Sequence, residues 1–293
     1  MNVLVTGGTG FVGGHIVRHL VADGTTVRVA SRSVPQFVPA GATHVAANVT
    51  EASSLRDAMD GVDAVVHLSA IIVERGAQTF ESVNHQGTRN VIAAMREAGV
   101  GRLVHLSALG AGPDDRFPYL LSKWRAEEAV RASDLSWTVL RPSVLHGEGC
   151  GFFRPIVWSL RWAPVYPMVA HGETRFSPLW IEDLAKCVTA CLGGEHIGQT
   201  LDVGGPEVLT FSDIVQLVME ALGKHRRTVP VPVWAARPFA FVQGLRRDPL
   251  VTNQQLDMVV LDNACAPDSV DRAFGFHPVR MRDTDLRWLA RLA

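Results

Sequence analysis

Short apolar runs alternate with longer amphipathic stretches through the first half of the chain. The runs cover residues 3–5, 27–30, 44–47, 64–68, 103–106 and 137–140. They are rich in β-branched residues and bounded by Gly, Asp or Ser, the texture of strands buried on both faces. Between them, apolar positions recur at helical spacing over residues 11–22, 53–59, 80–98 and 119–132. Gly24, Gly61 and Gly99 stand just past three of these stretches, where a helix closes in a left-handed turn. Strand alternating with helix predicts an α/β fold, a Rossmann-type doubly wound parallel sheet with helices on both faces. Any ligand then belongs at the carboxyl ends of the strands.

After Arg141 the texture changes. Residues 151–172 hold Phe152, Phe153, Trp158, Trp162 and Tyr166 among prolines and arginines. Residues 178–192 return to a helical pattern, 200–203 read as one more strand, and helices are expected near 210–222, 233–243 and 283–291. A chain of 293 residues is near the practical limit of one hydrophobic core. The expected organisation is therefore a nucleotide-binding domain of residues 1–145 rejoined by 173–205, with a smaller, mostly helical lobe from 146–172 and 206–293.

Composition narrows the function classes. Hydrophobic residues make up 47% and charged residues 19%, enough to bury a substantial core. Net charge is −1 and no basic run exceeds two residues, which argues against a nucleic-acid surface. Four cysteines are too few for a disulfide scaffold, and Cys187 and Cys191 read as small apolar residues on a buried helix face. His15 and His19 share a helix face without a third ligand, so no metal is expected. The segment after Met1 already reads as a strand, and no stretch is long and apolar enough to span a membrane. A cytoplasmic location is expected, with peripheral membrane attachment as the variant that the aromatic lobe suggests.

The chemistry begins at the end of the first strand, where Thr6-Gly7-Gly8-Thr9-Gly10-Phe11-Val12-Gly13-Gly14 leads into a helix. Gly7 lets the chain turn off the strand, Gly10 lets backbone approach a pyrophosphate, and Gly13 lets the helix pack closely. The helix N-terminus adds free N–H groups and a positive dipole for the anion. The second strand ends at Ser31-Arg32-Ser33 with no acid nearby. An acid there would bind a ribose 2′-hydroxyl, whereas Arg32 suits a 2′-phosphate, so NADP(H) is favoured over NAD(H). Arg18 and Arg28 are alternatives for the same contact.

With these residues in view, the chain resembles the extended and atypical short-chain dehydrogenase/reductases over nearly its whole length. The glycine loop resembles their cofactor loop (Gly7, Thr9, Gly10, Phe11, Val12, Gly13), and Asn48-Val49 their adenine-contacting segment. His67-Leu68-Ser69-Ala70 resembles the strand-four motif beside the cofactor, and residues 83–90 their long central helix. Tyr119 and Lys123 resemble their Tyr-x-x-x-Lys pair, and Arg141-Pro142-Ser143-Val144 the segment over the nicotinamide. Residues 105–111, 202–210 and 261–263 bring the likeness closer to the group that includes the nucleotide-binding accessory subunit of respiratory complex I. That likeness implies a tightly held nucleotide and does not by itself imply turnover.

Tyrosine and lysine are scarce here. The chain has two tyrosines, and its three lysines are Lys123, Lys186 and Lys224. Chance would supply only about 0.02 Tyr-x-x-x-Lys pairs in such a chain. Lysine four residues after tyrosine shares its helix face, and its ammonium favours the phenolate, so Tyr119 is expected to exchange a proton with a carbonyl/alcohol couple. By resemblance Lys123 also holds the nicotinamide ribose, and Asn84 holds a relay water or, more plainly, stabilises a helix bend. The resemblance places a substrate-binding Ser or Thr just past the fifth strand, where this chain has Ala108. Ser107 is one residue earlier, and adjacent strand residues face opposite ways. Either a local twist brings Ser107 in, or the polar partner is lost.

The lobe carries Trp158, Trp162 and Trp234 together with Arg154, Arg161, Arg237, Arg246 and Arg247. Four readings remain open: ordinary packing, a site for a hydrophobic or quinone-like molecule, a membrane-surface contact and a protein contact. Two functions follow, an NADP(H)-dependent oxidoreductase for an apolar substrate and a non-catalytic NADPH-binding accessory or assembly factor.

Overall fold

The computed structural model describes residues 1–35, 38–246 and 248–292, so Arg247 lies outside the described residues. The chain divides into two compact units, Met1–Pro142 with Ile181–Asp202, and Ser143–Trp180 with Val203–Ala293.

The first unit opens with β1 (Asn2–Thr6), α1 (Phe11–Ala22), β2 (Thr26–Ser31), β3 (Ala42–Ala46), α2 (Ala52–Ala58) and β4 (Ala64–His67). A π-helical turn, Phe80–Gln86, then runs into α3 (Gly87–Ala98), followed by β5 (Arg102–Leu106), α4 (Pro118–Arg131) and β6 (Ser136–Pro142). The wider turn occupies what periodicity reads as the start of one continuous helix over 80–98. Thr79 and Ser82 cap it reciprocally. Pro118 sits in the first turn of α4, where its missing N–H costs nothing.

The second unit contributes β7 (Leu145–His146), α5 (Arg154–Trp162), β8 (Val165–Val169), β9 (Arg175–Phe176) and β10 (Leu179–Trp180). The chain returns to the first unit through α6 (Ile181–Leu192) and β11 (Gln199–Val203). It then completes the second with β12 (Leu209–Thr210), α7 (Phe211–Ala221), β13 (Arg227–Val231), α8 (Val233–Gly244), α9 (Asn253–Met258) and α10 (Ser269–Phe274).

The main sheet has seven strands in the order β11-β6-β5-β4-β1-β2-β3. Pairing is parallel from β3 through β6. Its order reverses between β1 and β4, the point where a doubly wound sheet opens a crevice for a ligand. Leu4, Val65, Leu103 and Val139 are fully buried in the strands, and Leu55, Met59, Val91 and Met95 pack over them. On the opposite side, α1 and α6 meet through His15 Nδ1 and Glu182 Oε1, 2.5 Å apart.

In the second unit, β8 pairs with β13 and β7 with β10 in parallel, and β9 with β12 antiparallel. These ladders explain why residues 173–180, assigned from sequence to the nucleotide-binding domain, lie in the second unit. Arg175 reinforces them through a paired contact with Asp262. The helix expected over 283–291 is instead two 3-10 turns, Met281–Asp283 and Arg287–Arg291.

Two carboxylates among the described residues of the first unit are buried completely, Asp183 of α6 and Glu127. Glu127, on α4, accepts from Arg131 at 2.6 Å and from Arg141 at 2.8 and 2.6 Å. Those arginines stay partly exposed, so water screens part of the cluster. Replacing Glu127 with Ala removes the ion pair of Arg141 and leaves Arg131 only its pair with Glu128, and should cost on the order of 3 kcal/mol. Urea unfolding monitored by circular dichroism checks this, and an unchanged midpoint would mean that the arginines find other partners.

Candidate functional site

The glycine loop occupies the switch point of the sheet. Gly7 has φ +73°, and a Cβ there would lie 2.9 Å from the Ser69 backbone nitrogen. The chain thus leaves β1 in a left-handed turn pressed against the segment after β4. Gly13 is tighter still, since a Cβ would lie 2.2 Å from the Gly7 carbonyl oxygen and 2.5 Å from Gly8 Cα. Its lack of a side chain therefore lets α1 close on the loop itself. Thr9 and Gly10 are exposed, and Phe11 and Val12 half-buried. Gly10 caps α1 without any side-chain hydrogen bond. The first amides of a 12-residue helix therefore lack a side-chain acceptor at an exposed turn, an arrangement able to hold an anionic phosphate.

Beside the loop, a buried chain of hydrogen bonds joins three elements. Thr6 Oγ1 lies 2.7 Å from His67 Nδ1, and His67 Nε2 lies 3.0 Å from Thr88 Oγ1. Thr88 in turn donates to the Asn84 carbonyl at 2.7 Å. The Leu68 and Ser69 amides approach Thr6 Oγ1 at 3.3 and 3.4 Å. This sets the path of Leu68 and Ser69, both half-buried, and exposed Ala70. Sequence reasoning quoted His67 without a role, because its partners are 61 and 21 residues away. A histidine inside an apolar strand was the available signal.

Asn84 sits in the π-helical turn. Its Oδ1 accepts from the Ile71 amide at 2.8 Å, and its Nδ2 donates to the Ile71 carbonyl and to Ser122 Oγ. Ser122 Oγ donates to the Tyr119 carbonyl. Asn84 thereby ties the loop after β4 to the first turn of α4. The Tyr119 ring packs edge-on against Phe80, centroids 5.8 Å apart.

Lys123 is buried, and its ammonium donates to the Leu106 carbonyl at 2.6 Å, at the end of β5. Burial pulls its pKa down to about 8, against an opposing pull from Glu127 one turn along α4. Burial pushes the Tyr119 phenol up to about 12. This reverses the sequence expectation that the neighbouring ammonium would favour the phenolate: desolvation dominates. Tyr119 is a neutral phenol at pH 7. His67 and His105 stack with centroids 5.3 Å apart. Burial first, then the field of Lys123, keeps both neutral, with His67 pulled down to about 3.

The position after β5 resolves the ambiguity about a twist. The Ser107 amide donates to the Leu140 carbonyl at 2.7 Å and the Leu109 amide to the Pro142 carbonyl at 3.0 Å. The extended ladder to β6 therefore continues past Leu106 without a twist. Alternation puts Ser107 on the face of His105, the side that feels Lys123, and Ala108 on the other. Ser107 is buried, and its hydroxyl has no partner among the described residues. A buried hydroxyl left unsatisfied costs about 1–3 kcal/mol.

The remaining positions separate. Arg32 is exposed just past β2, near the Gln78 side chain, whose amide oxygen faces the guanidinium when correctly oriented. Arg28 is committed elsewhere, donating to the Ala58 and Asp60 carbonyls. Asn48 is spent locally on Glu51 and Thr50, and buried Val49 lies against Gly87. Pro142 ends β6 in the first unit. Val144 belongs to the second, where its amide donates to Asn263 Oδ1 at 2.9 Å. Among the described residues no cluster of His, Cys, Asp and Glu could hold a metal. His15 is taken by Glu182, and His19 lies 3.5 Å from Asp23.

Residues 7–151 match the family described as NAD(P)H-binding. The matched segment, about half of the chain, is an NAD(P)-binding domain of the Rossmann type. It is 26% identical over 252 residues to the mitochondrial NADH dehydrogenase [ubiquinone] 1 alpha subcomplex subunit 9 of Arabidopsis thaliana, covering 80% of this chain but only 61% of that protein. It is 29% identical over 242 residues to the ceramide reductase of Caulobacter vibrioides, covering 78% and 73% of the two chains. The UDP-glucose 4-epimerase of Thermotoga maritima has the same fold, with TM-score 0.74 at 19% identity over 99% of this chain and 98% of that one.

The two adjacent helix glycines give a paired test. Gly13→Ala should destabilise the protein by about 1–3 kcal/mol, because backbone on both sides must move. Gly14→Ala meets only the tip of Arg18, 3.8 Å away, and should be neutral or slightly stabilising. Equal melting temperatures for the two variants would refute the close-packing role of Gly13.

Proposed function

We propose that this NAD(P)-binding protein is an NADP(H)-dependent oxidoreductase that reduces the carbonyl of an apolar substrate, with Tyr119 as proton donor. The observation that carries the reading is half-buried Tyr119 and buried Lys123 on one face of α4, together with the unpartnered Ser107 hydroxyl on the face of β5 that feels Lys123. The exposed, uncapped start of α1 fits a pyrophosphate, so Gly7, Thr9, Gly10, Phe11, Val12 and Gly13 would hold it. Leu68, Ser69, Ala70, Asn48, Val49, Pro142 and Val144 are proposed as further nucleotide contacts. When bound, the nicotinamide supplies the hydride.

The chain's own groups do the rest. The Ser107 hydroxyl donates to the substrate carbonyl oxygen and orients it. As negative charge develops on that oxygen, Tyr119 transfers its phenolic proton. The nearby Lys123 ammonium stabilises the phenolate left behind. A phenol near 12 stays protonated at neutral pH, which favours reduction over oxidation. Asn84 acts through Ser122 and the Tyr119 carbonyl, holding the first turn of α4. The ceramide reductase relative and the aromatic-rich second unit support an apolar carbonyl compound, quinone-like molecules included.

Tyr119→Phe should reduce turnover at least about 10²-fold while sparing cofactor affinity, and Ser107→Ala should lower it by about 10²-fold. Unchanged turnover in either variant removes that residue from the chemistry. For wild type, kcat/KM for reduction should fall as pH rises through about 8, where Lys123 loses its proton. A flat profile from pH 7 to 9 would count against a charged Lys123.

The NADP(H) preference rests on Arg32, exposed at the end of β2 with no acid beside it. NADPH should raise the melting temperature more than NADH, and Arg32→Asp should reverse the order. Equal stabilisation of wild type by both would sink the preference. The likeness to a complex I subunit and Ala108 at the usual Ser/Thr position support the second reading, a non-catalytic accessory or assembly factor. A protein that binds NADPH yet leaves it unoxidised by apolar ketones, aldehydes and quinones would favour it.

A further inference from the structure

The second unit displays a one-sided apolar helix that its own core does not use. On α8, Trp234, Pro238, Phe241 and Val242 recur at helical spacing, and Leu245 continues the line. All are exposed, with Trp234 at 74% and Leu245 at 76%. Ala240 and Gln243, on the other side, are buried. This stripe spans about 100° of the helix circumference and contains no polar residue.

The stripe is one end of a longer band. Phe239 on α8 meets Trp158 of α5, with centroids 6.1 Å apart. One turn on, Trp162 is 69% exposed at the end of α5. Arg226 donates to the carbonyl of Ala163, the next residue. Arg226 adjoins Arg227, which opens β13 opposite Val165. The band thus runs from the α8 face through Trp158 and Trp162 to the basic segment 224–227.

Its charge is unbalanced. Lys224, Arg227 and Arg246 are exposed and form no ion pair among the described residues. The acids that flank α8 are already neutralised, Asp257 by Arg237 at 2.6 Å and Asp248 by Arg154 at 2.9 Å. Free cations around a stripe of Trp, Phe, Val and Leu match the surface of an anionic bilayer. Indole rings settle among headgroups, aliphatic and phenyl groups enter the acyl boundary, and cations reach phosphates. We infer that α8, with the Trp158–Trp162 face of α5 and the basic segment 224–227, seats this protein on a membrane bearing anionic phospholipid. The inference is independent of whether Tyr119 turns over a substrate.

The test is flotation of the full chain with vesicles of phosphatidylcholine alone and with about 30% phosphatidylglycerol. Binding is expected to the anionic vesicles only, weakened at about 0.5 M salt. The double variant Trp234→Ser/Phe241→Ser should lower partitioning ~10-fold, and Lys224→Glu/Arg227→Glu should do the same. Both alter exposed positions, so circular dichroism and melting temperature should stay at wild-type values. Absent binding, equal binding to neutral vesicles, or binding unaffected by either folded variant overturns the inference. A concentration-dependent dimer dissolved by Trp234→Ser/Phe241→Ser, with no vesicle binding by wild type, assigns the face to a second copy and also overturns it.

Discussion

The amino end of α1 lies so close upon the end of β1 that no side chain fits between them. The Gly7 carbonyl stands where a Gly13 side chain would begin, and the Gly7 backbone presses on Leu68 and Ser69. This contact aims the first amides of α1 outward at the carboxyl ends of the strands. It also locks β1 to β4, the neighbours between which the sheet order reverses. The Thr6–His67–Thr88 hydrogen bonds run through the same seam and extend it to α3. A loop that merely tolerated glycine would show open space at these positions. Here two of them are sterically compelled.

The second organising element is α4. It brings a phenol and an ammonium into a region that burial has stripped of water, and both pKa values move toward the uncharged form. The two histidines beneath them are held neutral for the same reason. Glu127, one turn further on, supplies the compensating charge and is held by two arginines. The electrostatics of the site therefore follow from depth first and pairing second. That order explains why proximity of Lys123 alone misjudges Tyr119.

Much of this was legible in the residues. The β-branched runs became the strands of the main sheet because burial on both faces leaves no other use for them. Gly7 and Gly13 were readable because only glycine survives where backbone meets backbone. The Tyr119–Lys123 pair stood out because a spacing of four defines a helix face without tertiary information. Less was legible beyond Arg141. Residues 173–180 were assigned to the nucleotide-binding domain, with 178–180 read as the start of the helix that follows, yet their short strands pair with 145–146 and 209–210. Two-residue ladders leave almost no periodic trace. Helix α5 was hidden by its own aromatics, since Trp158 and Trp162, four residues apart, also read as irregular packing.

The sequence by itself determined the alternating fold, the glycine loop and the face shared by Tyr119 and Lys123. These depend on local spacing and on the steric uniqueness of glycine. Only the tertiary structure decided that Ser107, rather than Ala108, shares the sheet face that feels Lys123. It also decided that His67 bridges Thr6 and Thr88, and that the α8 stripe stays outside the core. Each of those depends on partners tens of residues away or on which atoms water can still reach, and no local pattern encodes either.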